Sequence, residues 1–171
     1  MQPVLLGEVL DVPPPAVDAA LAARLALELF GVEGTVEVLG GERDRNFRIT
    51  PPDGGDWVLK VVHPREDPAV TDLQNVVLEH LRARNPALPV PRVRWPTRGD
   101  DATATWTDPS GDGELRVRMY SYLAGVPVSR GPLGSELARG VGTVGGDLDL
   151  ALAALSQPGQ EQDLAWDAHR V

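Results

Sequence analysis

Lys60 is the only lysine among 16 basic residues; all the others are arginine. It stands in the apolar run Trp57-Val58-Leu59-Lys60-Val61-Val62. Upstream lies a glycine-containing turn, Gly40-Gly41-Glu42-Arg43-Asp44-Arg45, which leads into Asn46 to Thr50. A compact ammonium offers a point charge where a guanidinium offers a planar fork. A hairpin tip with free backbone N–H groups can cover phosphates, and a lysine on the neighbouring strand can reach them. An ordinary turn followed by a solvated strand residue fits the same letters, as does a single lysine placed by chance. Its setting in an otherwise apolar strand is the informative part.

An ammonium drawn out of water needs a counter-charge. The next helical stretch offers Asp72, Gln74 and Glu79. Asp72 and Glu79 are seven apart and share a face, with Gln74 rotated from both. Carboxylates on the wet side of an amphipathic helix would look the same. Arg43 and Arg45 could lean over a phosphate, although hairpin arginines are commonly just solvated. With no cysteine there is no disulfide, thiolate metal site or thiol nucleophile, which suits a reducing cytoplasm. A net charge of −9 opposes docking on nucleic acid or an anionic membrane, while leaving room for one cationic pocket. No apolar run approaches the roughly 18 residues that span a bilayer, and Met1 to Pro15 lacks the pattern of a signal peptide.

These groups need elements to position them. The chain has 171 residues, of which 42% are hydrophobic and 24% charged, so it can bury a core as one domain or one and a half. Its 18 glycines and 16 prolines point to many loops. Ala16 to Phe30 carries Val17, Leu21, Leu25 and Leu29 at helical spacing, between Pro13-Pro14-Pro15 and Gly31. Thr35 to Leu39, Asn46 to Thr50 and Trp57 to Val62 read as strands of an antiparallel meander. Ala69 to Arg84 is a helix stopped by Asn85-Pro86. A short edge strand at Val93 to Trp95 precedes a hairpin of Ala102 to Thr107 with Leu115 to Leu123. Leu133 to Leu155 forms a last apolar helical stripe, weakened by Gly140, Gly142, Gly145 and Gly146. The predicted class is α+β, an antiparallel sheet of about five strands with a crossing helix. The stripe, left bare, is expected to self-associate, fold back onto the sheet or fray.

Several strings in order resemble the aminoglycoside phosphotransferase-like kinases. They are Gly40 to Ile49, Trp57-Val58-Leu59-Lys60, Leu73-Gln74-Asn75, Leu78-Glu79-His80-Leu81, Leu88 to Val93, and Tyr120 to Pro127. Gln74-Asn75 and Trp166-Asp167 are most similar to the hydroxylysine-kinase-like branch, which also occurs fused ahead of pyridoxal-phosphate aminotransferases. The likeness covers about Val36 to Pro127 well and the rest loosely.

The resemblance implies a protein-kinase-like amino-terminal lobe over residues 1–123. Residues 124–171 would then be a hinge and the first helical part of an incomplete second lobe. Gly40 and Gly41 would cover the ATP phosphates and Lys60 would contact them, with Asn46 counted in the same set. Ser121, Tyr122 and Leu123 would form the hinge that reads the adenine edge. The family's lysine-pairing Glu falls on Gln74, which cannot neutralise an ammonium, so Asp72 or Glu79 is left to replace it. The family also needs a catalytic Asp in a His-Gly-Asp-like loop, then an Asn and a second Asp for magnesium. None of His63, His80 and His169 precedes Gly-Asp, and Gly146-Asp147-Leu148-Asp149 reads as helix surface. No catalytic residue or metal ligand is therefore assigned, and magnesium is expected only with the missing lobe.

The implied function is the ATP-binding lobe of a cytoplasmic small-molecule kinase acting on a hydroxyl of an amino alcohol or similar acceptor, inactive alone. It would be an excised fragment, a truncated product or part of a longer fusion. The alternative is a non-catalytic, pseudokinase-like module, one that could serve an attached aminotransferase.

Overall fold

The computed structural model describes residues 13–107, 113–128, 131 and 134–158. In chain order these form α1 (Ala19–Phe30), β1 (Thr35–Leu39), β2 (Arg45–Thr50), β3 (Trp57–Val61), α2 (Pro68–Arg84), β4 (Val93–Arg94), β5 (Ala104–Thr107), β6 (Glu114–Ser121) and α3 (Ser135–Leu152). The architecture is α+β, and the sheet has six strands where about five are predicted. β5 and β4 share one edge of β6. Ala104–Thr107 pairs with its first half, and Val93–Arg94 with Met119 and Tyr120.

Caps set the helix ends. The periodicity predicts a start at Ala16, but Asp18 accepts a hydrogen bond from the Leu21 N–H at 2.8 Å, so α1 begins at Ala19. Gly31 closes it in the left-handed region at φ 63°, which glycine enters freely. Asp67 caps α2 through the Ala69 N–H, with Pro68 in the first turn.

The sheet runs β1-β2-β3-β6-β4 and is antiparallel throughout. Alternation sorts its side chains onto two unlike faces. Phe47, Ile49, Leu59, Val61, Val117 and Met119 point to one side, where Ala22, Leu25, Ala26 and Phe30 of α1 complete the core. The opposite side carries a row set by register: Leu39 beside Asn46, Asn46 beside Lys60, Lys60 beside Arg118. Thus α1 seals the apolar face, and α2 meets the polar one through Arg118.

α3 lies against α2 and not on the sheet. His80 Nε2 is 2.8 Å from the Ala151 carbonyl oxygen at this contact. None of its residues is buried; Val141 is 58% and Leu150 78% exposed. The predicted stripe is therefore helical but open in the single chain, without folding back on the sheet. Leu133, Trp166, Asp167 and His169 lie outside the described residues. No helix among the described residues is long and apolar enough to cross a membrane.

Candidate functional site

The hairpin between β1 and β2 is built around one glycine that has no room for a side chain. A Cβ on Gly41 would come within 2.5 Å of Asn46 Nδ2 and 2.6 Å of the Asp44 carbonyl oxygen. Asn46 Nδ2 donates to the Gly40 carbonyl at 3.2 Å, which ties the two ends of the turn together. Gly40 itself has open space around it. Asn46 is the cross-strand neighbour of Lys60, so Gly40, Gly41, Asn46 and Lys60 all meet at one corner of the sheet.

At that corner Lys60 Nζ lies 2.7 Å from Asp44 Oδ2, with both side chains mostly buried. The other carboxylate oxygen, Oδ1, accepts the His63 N–H at 2.7 Å. Arg43 pairs with Glu66 at 2.8 Å, and Arg45 Nε donates to the Pro15 carbonyl. Arg43 is half-buried at its ion pair, while Arg45 stays exposed. The partner of Lys60 thus comes from the hairpin and not from the helix where a partner is predicted. Glu79 instead accepts from Arg82 on its own helix at 3.0 Å.

The helix amides have a different client, Arg118. Its Nε donates to Asn75 Oδ1 at 2.8 Å and its Nη1 to Gln74 Oε1. Arg118 is 1% exposed and lies over the ring of Tyr120 at 4.8 Å. Burial lowers its pKa, while Tyr120, Asp44, Asp72 and Glu66 oppose that shift. Burial likewise pushes the Tyr120 phenol up to about 12, against the pull of Arg118. Gln74 therefore does not neutralise Lys60; it satisfies the neighbouring cation. Arg118 is missing from the sequence reading, although its signal was present. Alternation along Glu114 to Ser121 sets an arginine opposite the Val117 and Met119 face of a central strand, and such a residue needs acceptors.

The predicted hinge begins where β6 ends. Ser121 donates its N–H to the Arg92 carbonyl, and its Oγ accepts the Arg92 N–H, both at 2.8 Å. Tyr122 donates its N–H to the Asp56 carbonyl at 2.8 Å, and its ring lies 4.4 Å under Arg48, which pairs with Asp56. Two of the three hinge N–H groups are thus occupied. Leu123, half exposed, makes no backbone hydrogen bond among the described residues. Ser121 is opposite Trp57, three residues before Lys60, which separates hinge and ammonium by about 10 Å along the strand.

Asp72 and Glu79 line a different space, a cavity of about 570 Å³ between α2 and the loop that follows β4. Asn75, His80 and Trp95 also face it. Among the described residues the ion pair of Lys60 is with Asp44 and not with either of these predicted acids. What the corner at Lys60 offers is a fixed ammonium beneath a closed turn, beside a strand end with free backbone. That combination can hold an anionic group at one end and a planar polar edge at the other.

The model of the phosphotransferase enzyme family, APH, matches residues 35–170. Hydroxylysine kinase of Mus musculus is 29% identical over 157 residues, covering 84% of this chain and 41% of the relative. The Danio rerio hydroxylysine kinase is 28% identical over 135 residues, with 76% and 37% covered. The chain therefore spans about two fifths of the length of these relatives. Two solved kinases share the fold at 17% identity. One is the amicoumacin kinase hAmiN in complex with AMP-PNP, Ca2+ and Ami, with a TM-score of 0.68 over 82% of this chain and 41% of that one. The other is a microcompartment-associated aminopropanol kinase, with a TM-score of 0.64 over 88% of this chain and 45% of that one. The likeness of these kinases agrees with the antiparallel sheet and its crossing helix, and the family match spans most of the chain: it belongs to the phosphotransferase enzyme family.

Proposed function

We propose that this chain is the nucleotide-binding part of a small-molecule kinase, with residues 1–123 as its amino-terminal lobe and 124–171 as a hinge and the start of the second. The observation that carries this reading is the corner at Lys60. The chain's only lysine is held at 2.7 Å by Asp44 under a turn whose Gly41 has no room for a Cβ. Lys60 would meet the phosphates of ATP and the Leu123 backbone the adenine edge, with Gly40, Gly41 and Asn46 shaping the cover. Ser121 and Tyr122 would hold the hinge in place through Arg92 and Asp56. The acceptor, by analogy with the hydroxylysine and aminopropanol kinases it resembles, would be a hydroxyl on an amine-bearing molecule. Phosphoryl transfer relies on positioning and charge stabilisation from both lobes. The 171 residues alone should therefore bind nucleotide with no appreciable turnover.

A ligand that binds only the native state raises stability by about 2.7 kcal/mol at 100 times its Kd. For a chain of this size each kcal/mol is worth about 2–4 °C in Tm. ATP should thus raise the melting temperature by several degrees, and Lys60→Ala should abolish most of that rise. A rise that survives the substitution would place the nucleotide elsewhere. No rise at millimolar ATP would favour the non-catalytic module. That second reading draws on Asp147 and Asp149, the acids of Gly146-Asp147-Leu148-Asp149, which are exposed on α3.

A further inference from the structure

We propose that Asp44 is the residue that positions Lys60 for phosphate, so that closing the hairpin and placing the ammonium are a single event. This rests on the nucleotide-binding reading above, in which Asp44 is only the partner of Lys60, and gives that residue a role of its own. Both oxygens of Asp44 are engaged, Oδ2 by Lys60 Nζ and Oδ1 by the His63 N–H, each at 2.7 Å. A carboxylate held at both oxygens cannot swing, and it fixes the ammonium that it binds. An ammonium has three donors, and one spent on Asp44 leaves two for phosphate oxygens. The His63 N–H also draws charge from the carboxylate, which eases the approach of an anion.

The helix does not compete for this role. Its amides Gln74 and Asn75 are spent on Arg118, and Glu79 on Arg82. Asp44, by contrast, is part of the turn itself. Asn46 binds the Gly40 carbonyl on one side of it, and Arg43 binds Glu66 on the other. Opening the turn therefore withdraws the acid and frees the lysine. Lys60 would reach its working position only with the hairpin down, and the position of α2 would act on it only indirectly.

The single lysine makes the test clean. In the full chain labelled with 15N at lysine Nζ, one side-chain signal reports Lys60 alone. Titrations of wild type, Asp44→Asn and Asp44→Glu with ATP and, separately, with adenosine complete the experiment. We expect Asp44→Asn to weaken ATP binding at least tenfold, leave adenosine within about twofold and shift the lysine signal toward that of a free ammonium. Asp44→Glu should recover part of the ATP affinity. If Asp44→Asn binds ATP as well as wild type or better, the carboxylate is a bystander or a competitor and the proposal fails while the nucleotide reading stands. An equal loss of ATP and adenosine would mean general damage to the turn, and would also overturn it. If wild type binds neither ligand, the nucleotide reading falls and the proposal falls with it.

Discussion

Asn75 offers the sharpest test of how α2 is fastened to the sheet. Its side chain is 5% exposed and works in two directions, accepting from Arg118 Nε and donating to Thr103 Oγ1 at 2.9 Å. Asn75→Leu keeps the branching of the side chain, removes both functions and leaves a buried guanidinium short of one acceptor. The charge-assisted bond is worth about 1.5–3 kcal/mol and the neutral one about 1 kcal/mol. A few tenths return from the better helix propensity of leucine. The net expectation is a loss of about 2–4 kcal/mol. On an Arg118→Met background there is no cation left to orphan, so the same substitution should cost about 1 kcal/mol, mostly the bond to Thr103. The coupling between the two sites should thus reach about 1–3 kcal/mol. Urea unfolding followed by tryptophan fluorescence gives all four corners of the cycle, provided the m-values agree. Additivity within about 0.5 kcal/mol would show that Arg118 does not depend on Asn75, and would refute the fastening.

Three further outcomes follow from single residues. Gly41→Ala forces a Cβ onto the Asp44 backbone and Asn46, so ATP should bind roughly tenfold more weakly with the fold intact; unchanged affinity in a titration would remove the turn from the site. The Tyr120 phenol titrates near 12 in the fold against about 10 when unfolded, so the unfolded chain gives up that proton first. Its contribution is whole below about pH 10 and fades as pH rises through about 12, a loss of roughly 2–3 kcal/mol in total. Urea midpoints near pH 9 and pH 11 should show a smaller decline in Tyr120→Phe than in wild type. Gly142→Ala on the open side of α3, where no atom lies within 4 Å of a new Cβ, should gain up to about 1 kcal/mol of helix. Circular dichroism that shows less helix than wild type would contradict this.

Periodicity made the elements legible because each has a strong pattern of its own. In the meander of Thr35 to Val62, β2 alternates between half-buried and buried positions after its exposed first residue, and turn residues mark both connections. The short edge strand at Val93 was legible, but its place beside β5 along one edge of β6 was not, since the partner of so short a strand is fixed by pairing and not by propensity. At the site, Lys60 stood out because its residue type is rare in this chain. Its partner did not, because a turn aspartate ordinarily binds its own backbone, and nothing local marks one that reaches 16 residues onward. The family resemblance sets Gln74 where a glutamate would pair with Lys60, a place in which an amide cannot neutralise the ammonium. Gln74 is in fact matched to Arg118, whose position opposite Lys60 emerges only once β3 and β6 are paired.

That pairing raises an electrostatic difficulty whose solution explains the division of partners. Lys60 and Arg118 are directly opposite on adjacent strands and face the same way, and like charges so placed repel. A single glutamate from the helix could not fully satisfy both, because Arg118 needs in-plane acceptors and Lys60 a point charge. Here neutral amides meet the geometry of the guanidinium without adding charge. One carboxylate, Asp44, contacts the ammonium and also acts on Arg118 through space. If a glutamate replaced Gln74, it would bind the nearer guanidinium first and lower the positive potential that Lys60 presents to an anion. Gln74→Glu should therefore stabilise the fold and weaken ATP. Paired urea and ATP titrations decide the point: tighter ATP binding in that variant would mean that Lys60, and not Arg118, had been waiting for the helix.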